Sequence, residues 1–331
     1  MSNLETEPAE LLCDGSTPLG TLTEAPAPVV ILEPRDVPLG GPRAMGVRRT
    51  LPQRRRSLIG AWCFVDHYGP DDVSVTGGMV VPPHPHTGLQ TASWLFAGEV
   101  EHRDSVGSHA MVRPGEINLM TAGSGIAHSE VSTPATTTLH GAQLWLALPD
   151  ADRQHAPFFE HFAPEPVLYS GCTIRVFIGT LLGSSSPVRV FSPLVGAELD
   201  LPAGATIDLP VDPAFEHGIL LDVGSVAVDG IDVPRSHLAY RAPGTSSIRL
   251  SAGTEGARLL LIGGAPFGER IVMWWNFIGR THEEIVEYRG AWQSEVIAGG
   301  RPDGRFGTVA GYPGNALPAP ELPNVRLRAR D

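Results

Sequence analysis

Glycine and proline cut this chain into short apolar runs, and that punctuation constrains its fold more than any other feature. They account for 38 and 31 of the 331 residues. Proline removes a backbone donor and glycine supplies turn conformations that other residues avoid, so heavy use of both favours many short strands over long helices. The runs at 29–32, 59–65, 79–81, 91–96, 100–104, 110–112, 117–121 and 139–148 read as strands, with a turn at 66–70. After a connector near 151–166 a second series follows, at 167–169, 173–178, 197–201, 205–209, 218–223, 225–228, 237–240, 248–250 and 258–263. No sustained 3.6-residue period intervenes. The pattern is that of an antiparallel sandwich or barrel.

The two series resemble each other weakly. Arg113-Pro114-Gly115 is echoed by Arg241-Ala242-Pro243-Gly244, and Gly98-Glu99-Val100 by Gly224-Ser225-Val226. A chain of this length can bury two cores. The expected organisation is an acidic, flexible tail over 1–28, a first barrel over 29–160, a second over 161–297, and a terminal segment over 298–331 lying against the body through Val309, Leu317, Leu322 and Val325. The best helix signal is Thr281 as a cap, with Glu283 and Glu284 in the first turn.

Composition narrows the function. With 42% apolar and 18% charged residues the chain is globular. A net charge of −12 argues against a nucleic-acid footprint. The local cluster Arg43, Arg48, Arg49, Arg54, Arg55 and Arg56 reads as a solvated edge paired with acids. Cys13, Cys63 and Cys172 show no CxxC spacing and suit a reducing compartment. No secretory pattern and no 18-residue apolar run occurs, so a cytoplasmic protein without membrane contact is expected. The sequence leaves the oligomeric state open, with a monomer favoured.

Chemistry concentrates between Gly78 and Glu130. His84-Pro85-His86 and His128-Ser129-Glu130 each place two metal-capable side chains at i, i+2, on one face of a strand. An HxH pair alone is weak, since 12 histidines in this length give about 0.4 such pairs by chance. Two pairs in one barrel, with Gly123-Ser124-Gly125 before His128, are stronger. Three imidazoles and a carboxylate would leave a net charge of +1 on a divalent transition metal, with open positions for an oxygen-donor substrate or O2. Iron is the first choice because it cycles between oxidation states; Mn, Ni, Co and Cu fit the same ligand types. The matching positions of the second half offer only His217, so that half reads as a metal-free copy. The remaining histidines read as structural or solvated; His102 and Asp104, alternating with Arg103 on a strand, fit a place behind the ligands and a plain strand face equally well.

The Gly78-x5-His84-x-His86 spacing is the opening of the cupin motif. The string from Pro83 through His102-Arg103-Asp104-Ser105 to Met120-Thr121-Ala122-Gly123-Ser124-Gly125-Ile126-Ala127-His128-Ser129-Glu130 resembles the pirin family, and the resemblance covers most of the chain beyond residue 30. It implies an all-β bicupin, two tandem jelly-roll barrels with a few short helices. It also implies one metal, usually iron, held in the first barrel by His84, His86, His128 and Glu130. Gln90 stands where the motif often carries a glutamate beside the metal, which removes a charge and a proton acceptor there. The activity implied is quercetin 2,3-dioxygenase, acting on small phenolic, flavonol-like substrates, with Glu130 or hydroxide on the metal taking the 3-hydroxyl proton. The family also implies an alternative, a redox-responsive regulator that binds a transcription factor or metabolic enzyme.

Overall fold

The structure, a computed structural model, describes residues 28–39 and 45–329. The acidic tail through residue 27, with Cys13, and Arg43 lie outside the described residues. In chain order the first half supplies β1 (Val30–Leu32), β2 (Arg35–Leu39), β3 (Met45–Leu51), β4 (Trp62–Asp72), the single-turn α1 (Val73–Thr76), β5 (Val80–His86), β6 (Leu89–Ala97), β7 (Val100–Asp104), β8 (His109–Val112), β9 (Ile117–Thr121), β10 (Ile126–Ser132), β11 (Thr138–Ala147) and β12 (Phe158–Phe162). The second half supplies β13 (Val167–Tyr169), β14 (Cys172–Leu181), β15 (Ser184–Ser185), β16 (Leu194–Leu201), β17 (Thr206–Pro210), β18 (Glu216–Val228), β19 (Ile231–Val233), β20 (Leu238–Arg241) and β21 (Ser247–Gly264). A hairpin of β22 (Val272–Trp274) and β23 (Phe277–Gly279) and the helix α2 (His282–Trp292) follow. The fold is all-β, as the punctuation predicts.

The first barrel is a sandwich of a seven-stranded sheet, β12-β9-β6-β11-β4-β3-β2, and a four-stranded sheet, β5-β10-β7-β8. The second is built on one ten-stranded sheet along β1-β20-β18-β21-β16-β14-β13. Two sequence expectations fail here. Residues 30–32, expected in the first barrel, pair with Leu238–Tyr240 of the second. Residues 66–70, expected as a turn, continue β4 through its pairing with β11. Gly69 makes this work: at φ 78° it absorbs a register shift, and a Cβ there would lie 2.2 Å from the Leu139 carbonyl oxygen.

The alternation of β6, β9 and β11 serves two cores. One face turns Ala92, Trp94, Leu119, Leu144 and Leu146 against Phe177, Leu220, Leu260 and Ile262 of the second barrel. Trp94 stacks on Phe177 at 4.5 Å and donates its indole N–H to Glu198 at 2.7 Å. The opposite faces fill each barrel's own interior. Beside this shared core lies a buried polar junction. Asp222 Oδ1 accepts from His67 Nε2 at 2.7 Å and His140 Nε2 at 2.6 Å, and its Oδ2 accepts from Arg258 Nε at 2.6 Å. Burial raises the Asp222 carboxyl, but the hydrogen bonds from His140 and His67 outweigh it and hold the group below the ordinary aspartate range.

The chain then returns to the first barrel. Thr281 caps α2, its hydroxyl accepting from the Glu284 N–H at 3.2 Å. Trp274, Phe277, Tyr288, Trp292, Phe306, Val309 and Leu327 form a cluster that reaches Ala127 of β10. Val325 stays outside that cluster and is exposed. Cys63 and Cys172 are buried free thiols. Among the described residues no helix is long and apolar enough to cross a membrane.

Removing the shared acceptor of the junction would strand a guanidinium and two imidazole N–H groups in a buried place. Asp222→Ala is therefore expected to cost about 3–5 kcal/mol in urea unfolding; a loss under about 1 kcal/mol would contradict this role.

Candidate metal centre

β5 and β10 lie side by side with His84 opposite His128 and Ile126 opposite His86. Three prolines interrupt β5, at 82, 83 and 85, so the strand cannot keep a regular ladder, and its pairing with β10 slips between His128 and Glu130. His84, His86, His128 and Glu130 are all at most 1% exposed. The ligand atoms of the three histidines lie within 4.8 Å of one another. Glu130 is outside that compact set, directly across from His102 on β7. Its Oε1 accepts from Ser93 Oγ at 3.4 Å.

The hydrogen-bond partners fix the tautomers. His84 Nδ1 faces the Pro82 carbonyl at 2.8 Å and His86 Nδ1 faces the Asn276 carbonyl at 3.2 Å, so both Nδ1 atoms carry protons. His102 Nε2 faces the Asp104 carboxylate at 3.2 Å and must donate. Its Nδ1 is then an acceptor, and His128 Nδ1, 3.4 Å away, is the donor. All three Nε2 atoms are left as bare lone pairs turned to one point. His84 Nε2 is buried with no hydrogen-bond partner among the described residues, and the Nε2 atoms of His86 and His128 stand 3.1 Å apart. Protonation does not resolve the conflict. Burial lowers His84 to about 4 and, with the neighbouring imidazoles, holds His86 and His128 well below the ordinary histidine range. Converging acceptors without a donor need a cation between them, and neutral imidazoles suit a transition metal.

A second compact trio, His67, His140 and Asp222, gives a useful contrast. Both histidines donate Nε2–H to the aspartate, His67 Nδ1 lies 3.1 Å from the Ser236 hydroxyl, and His140 Nδ1 lies 3.5 Å from Arg258. Every group there has a partner and Arg258 already supplies the positive charge. Hydrogen-bond accounting, not proximity, separates the metal-ready trio from the structural one.

Other expectations resolve differently. Gln90 is not beside the histidines. Its amide donates to Thr121 Oγ1 at 2.8 Å and to the Arg189 carbonyl at 2.9 Å, on the face of β6 that Ala92 and Trp94 turn to the second barrel. The turn at Gly88, φ 68°, lies between His86 and Gln90, so strand alternation does not carry across it. His217 of the second barrel is fully buried, and neither ring nitrogen has a hydrogen-bond partner among the described residues. Ser93 and Gln143, which the sequence reading missed, line the first barrel, with Ser93 Oγ 2.8 Å from Gln143 Oε1. Their alternation with Trp94 and Leu144, which face the second barrel, was the available signal. Trp145, two residues on, sets its ring edge-on to His86 at 5.2 Å.

The pirin family model matches residues 44–146 and the pirin C-terminal cupin domain model residues 196–298. This chain belongs to the pirin family. A Pseudomonas aeruginosa protein provisionally named quercetin 2,3-dioxygenase is 44% identical over 87% of this chain and 89% of its own length. A pirin-like protein of Caulobacter vibrioides is 35% identical over 75% of this chain and 88% of its own. The crystal structure of quercetin 2,3-dioxygenase from Acinetobacter baumannii superposes with a TM-score of 0.84 at 38% identity, covering 91% of this chain and 97% of that one. The two barrels are thus tandem cupins.

The buried imidazoles make a pH prediction for the metal-free protein. His67, His84, His86, His128 and His217 all titrate lower in the fold than in an unfolded chain. The unfolded state therefore binds more protons below about pH 6.5, and stability falls as pH drops through that value, by up to about 1.4 kcal/mol per pH unit for each histidine. Chelator-treated protein should show a clearly lower urea midpoint at pH 5.5 than at pH 7.5. An unchanged midpoint would contradict neutral, buried imidazoles.

Proposed function

We propose that the first barrel is a metal-dependent dioxygenase site of quercetin 2,3-dioxygenase type, in which His84, His86, His128 and Glu130 hold one divalent transition metal, iron first among them. The observation that carries this reading is the meeting of three bare Nε2 atoms in a buried place where no described residue donates to them. The names of the Pseudomonas and Acinetobacter relatives support the substrate class, a flavonol or similar small phenol. Iron bound there would supply a Lewis acid with open positions and a one-electron couple for O2.

The chain's own residues do the rest. Pro82 and Asn276 carbonyls and the His102 ring hold the imidazoles in the ligating tautomer before any metal arrives. Glu130, on the same strand face as His128, would join the three histidines in holding the metal, and its carboxylate is the group placed to take the proton of a phenolic hydroxyl. Burial of all four side chains keeps bulk water from that carboxylate. Gln90 has no part in the chemistry, since its amide is engaged on the far face of β6.

Protein loaded anaerobically with Fe(II) and then given air and quercetin should take up oxygen. His84→Ala should lower the rate by about two orders of magnitude or more, while Gln90→Leu should keep it. No uptake by protein shown to carry iron would overturn the dioxygenase reading and direct the search to protein partners whose binding follows the iron oxidation state.

A further inference from the structure

β7 alternates inward and outward, with Val100, His102 and Asp104 buried and Glu101 and Arg103 turned out. His102 and Asp104 are 3% and 2% exposed, in a position where a strand interior ordinarily carries apolar residues. They are joined end to end. Asp104 Oδ1 accepts the backbone N–H groups of Val106 and Ser108 at 3.1 and 2.8 Å, which pins the carboxylate and leaves Oδ2 for His102 Nε2 at 3.2 Å. His102 Nδ1 then meets His128 Nδ1 at 3.4 Å. Phe159 of β12 stacks on the His102 ring at 4.8 Å and an angle of 27°, fixing its plane. The protons can be placed along this string in one way that leaves both imidazoles neutral. The carboxylate accepts from Nε2 of His102, and Nδ1 of His102 accepts from Nδ1 of His128.

We propose that His102 is a positioning residue for the metal. It holds His128 in the tautomer and ring orientation that turns Nε2 to the ion, and it passes the negative charge of Asp104 to that ligand through two hydrogen bonds in series. His84 and His86 lean instead on neutral backbone carbonyls, Pro82 and Asn276. The three imidazoles are therefore unequal, and His128 is the most electron-rich. Outer partners of this kind raise the basicity of a ligating histidine, and their loss typically costs 10–100-fold in metal affinity. The proposal rests on the metal reading given above.

The test is titration of chelator-treated protein with Co(II), followed by its visible absorption, for wild type, His102→Phe and His102→Asn. Phenylalanine keeps a ring against Phe159 but offers no acceptor; asparagine offers an acceptor near the place of Nδ1 but does not reach Asp104. The expected result is that His102→Phe binds Co(II) about 10–100-fold more weakly. His102→Asn should recover most of that affinity, and both variants should shift the Co(II) bands because the link to Asp104 is gone. A His102→Phe protein with affinity within about 2-fold of wild type and the same spectrum would overturn the proposal, as would a His102→Asn protein that binds no better than the phenylalanine variant. If the phenylalanine variant fails to fold, an unshifted spectrum in His102→Asn overturns the charge link and a shifted one supports it. Wild type that binds no Co(II) would instead bring down the metal reading itself.

Discussion

Three neutral imidazoles that point bare lone pairs at one another are the constraint on which this structure turns. With Nδ1 of each ring protonated, no described residue donates to those Nε2 atoms, and burial keeps the rings neutral. The cost of leaving buried acceptors unmet is of the order of 1–3 kcal/mol each, and a divalent cation at their meeting point removes it. The fold maintains the arrangement by anchoring each ring from behind. Each anchor comes from a different part of the chain: the carbonyl of Pro82 within β5, that of Asn276 in the β22–β23 hairpin, and His102 on β7.

That division of labour explains why the chain, having finished its second barrel, comes back to the first. The hairpin, α2 and the segment after it bury Trp274, Phe277, Trp292 and Phe306 against one another and against β10, and in doing so bring the Asn276 carbonyl to His86. The last segment also reaches β5 directly, where the Leu317 N–H donates to the Pro83 carbonyl at 2.8 Å. Prolines in β5 break the ladder, and the freed carbonyls find a use, one on a histidine and one on this returning segment. The second barrel contributes at longer range. Its face packs on β6 and β11, and Asp222 ties His67 and His140 to Arg258 across the junction, so the seven-stranded sheet is anchored to the second barrel at two places.

Much of this was legible from residues alone, because it depends on local rules. Glycine and proline punctuation gives an all-β chain, and the i, i+2 spacing of His84 with His86 and of His128 with Glu130 puts each pair on one strand face. Thr281 with Glu283 and Glu284 marks α2. The parts that were not legible depend on partners far away in sequence. Residues 30–32 pair with strand residues about 200 positions later, and no local signal chooses between two barrels of similar composition. His67 and His140 owe their role to Asp222, on the other barrel. Gln90 was misplaced because a turn resets alternation, and residues 66–70 because Gly69-Pro70 reads as a turn while the positive φ of Gly69 here serves a register shift within a strand.

The central claim is that the three histidines ligate through Nε2 together. X-ray absorption at the iron edge of protein loaded with one equivalent of Fe(II) reads this directly. The account predicts the outer-shell scattering of three imidazole rings together with an oxygen donor. A shell of oxygen ligands only, or one that needs fewer than three imidazoles, would contradict it.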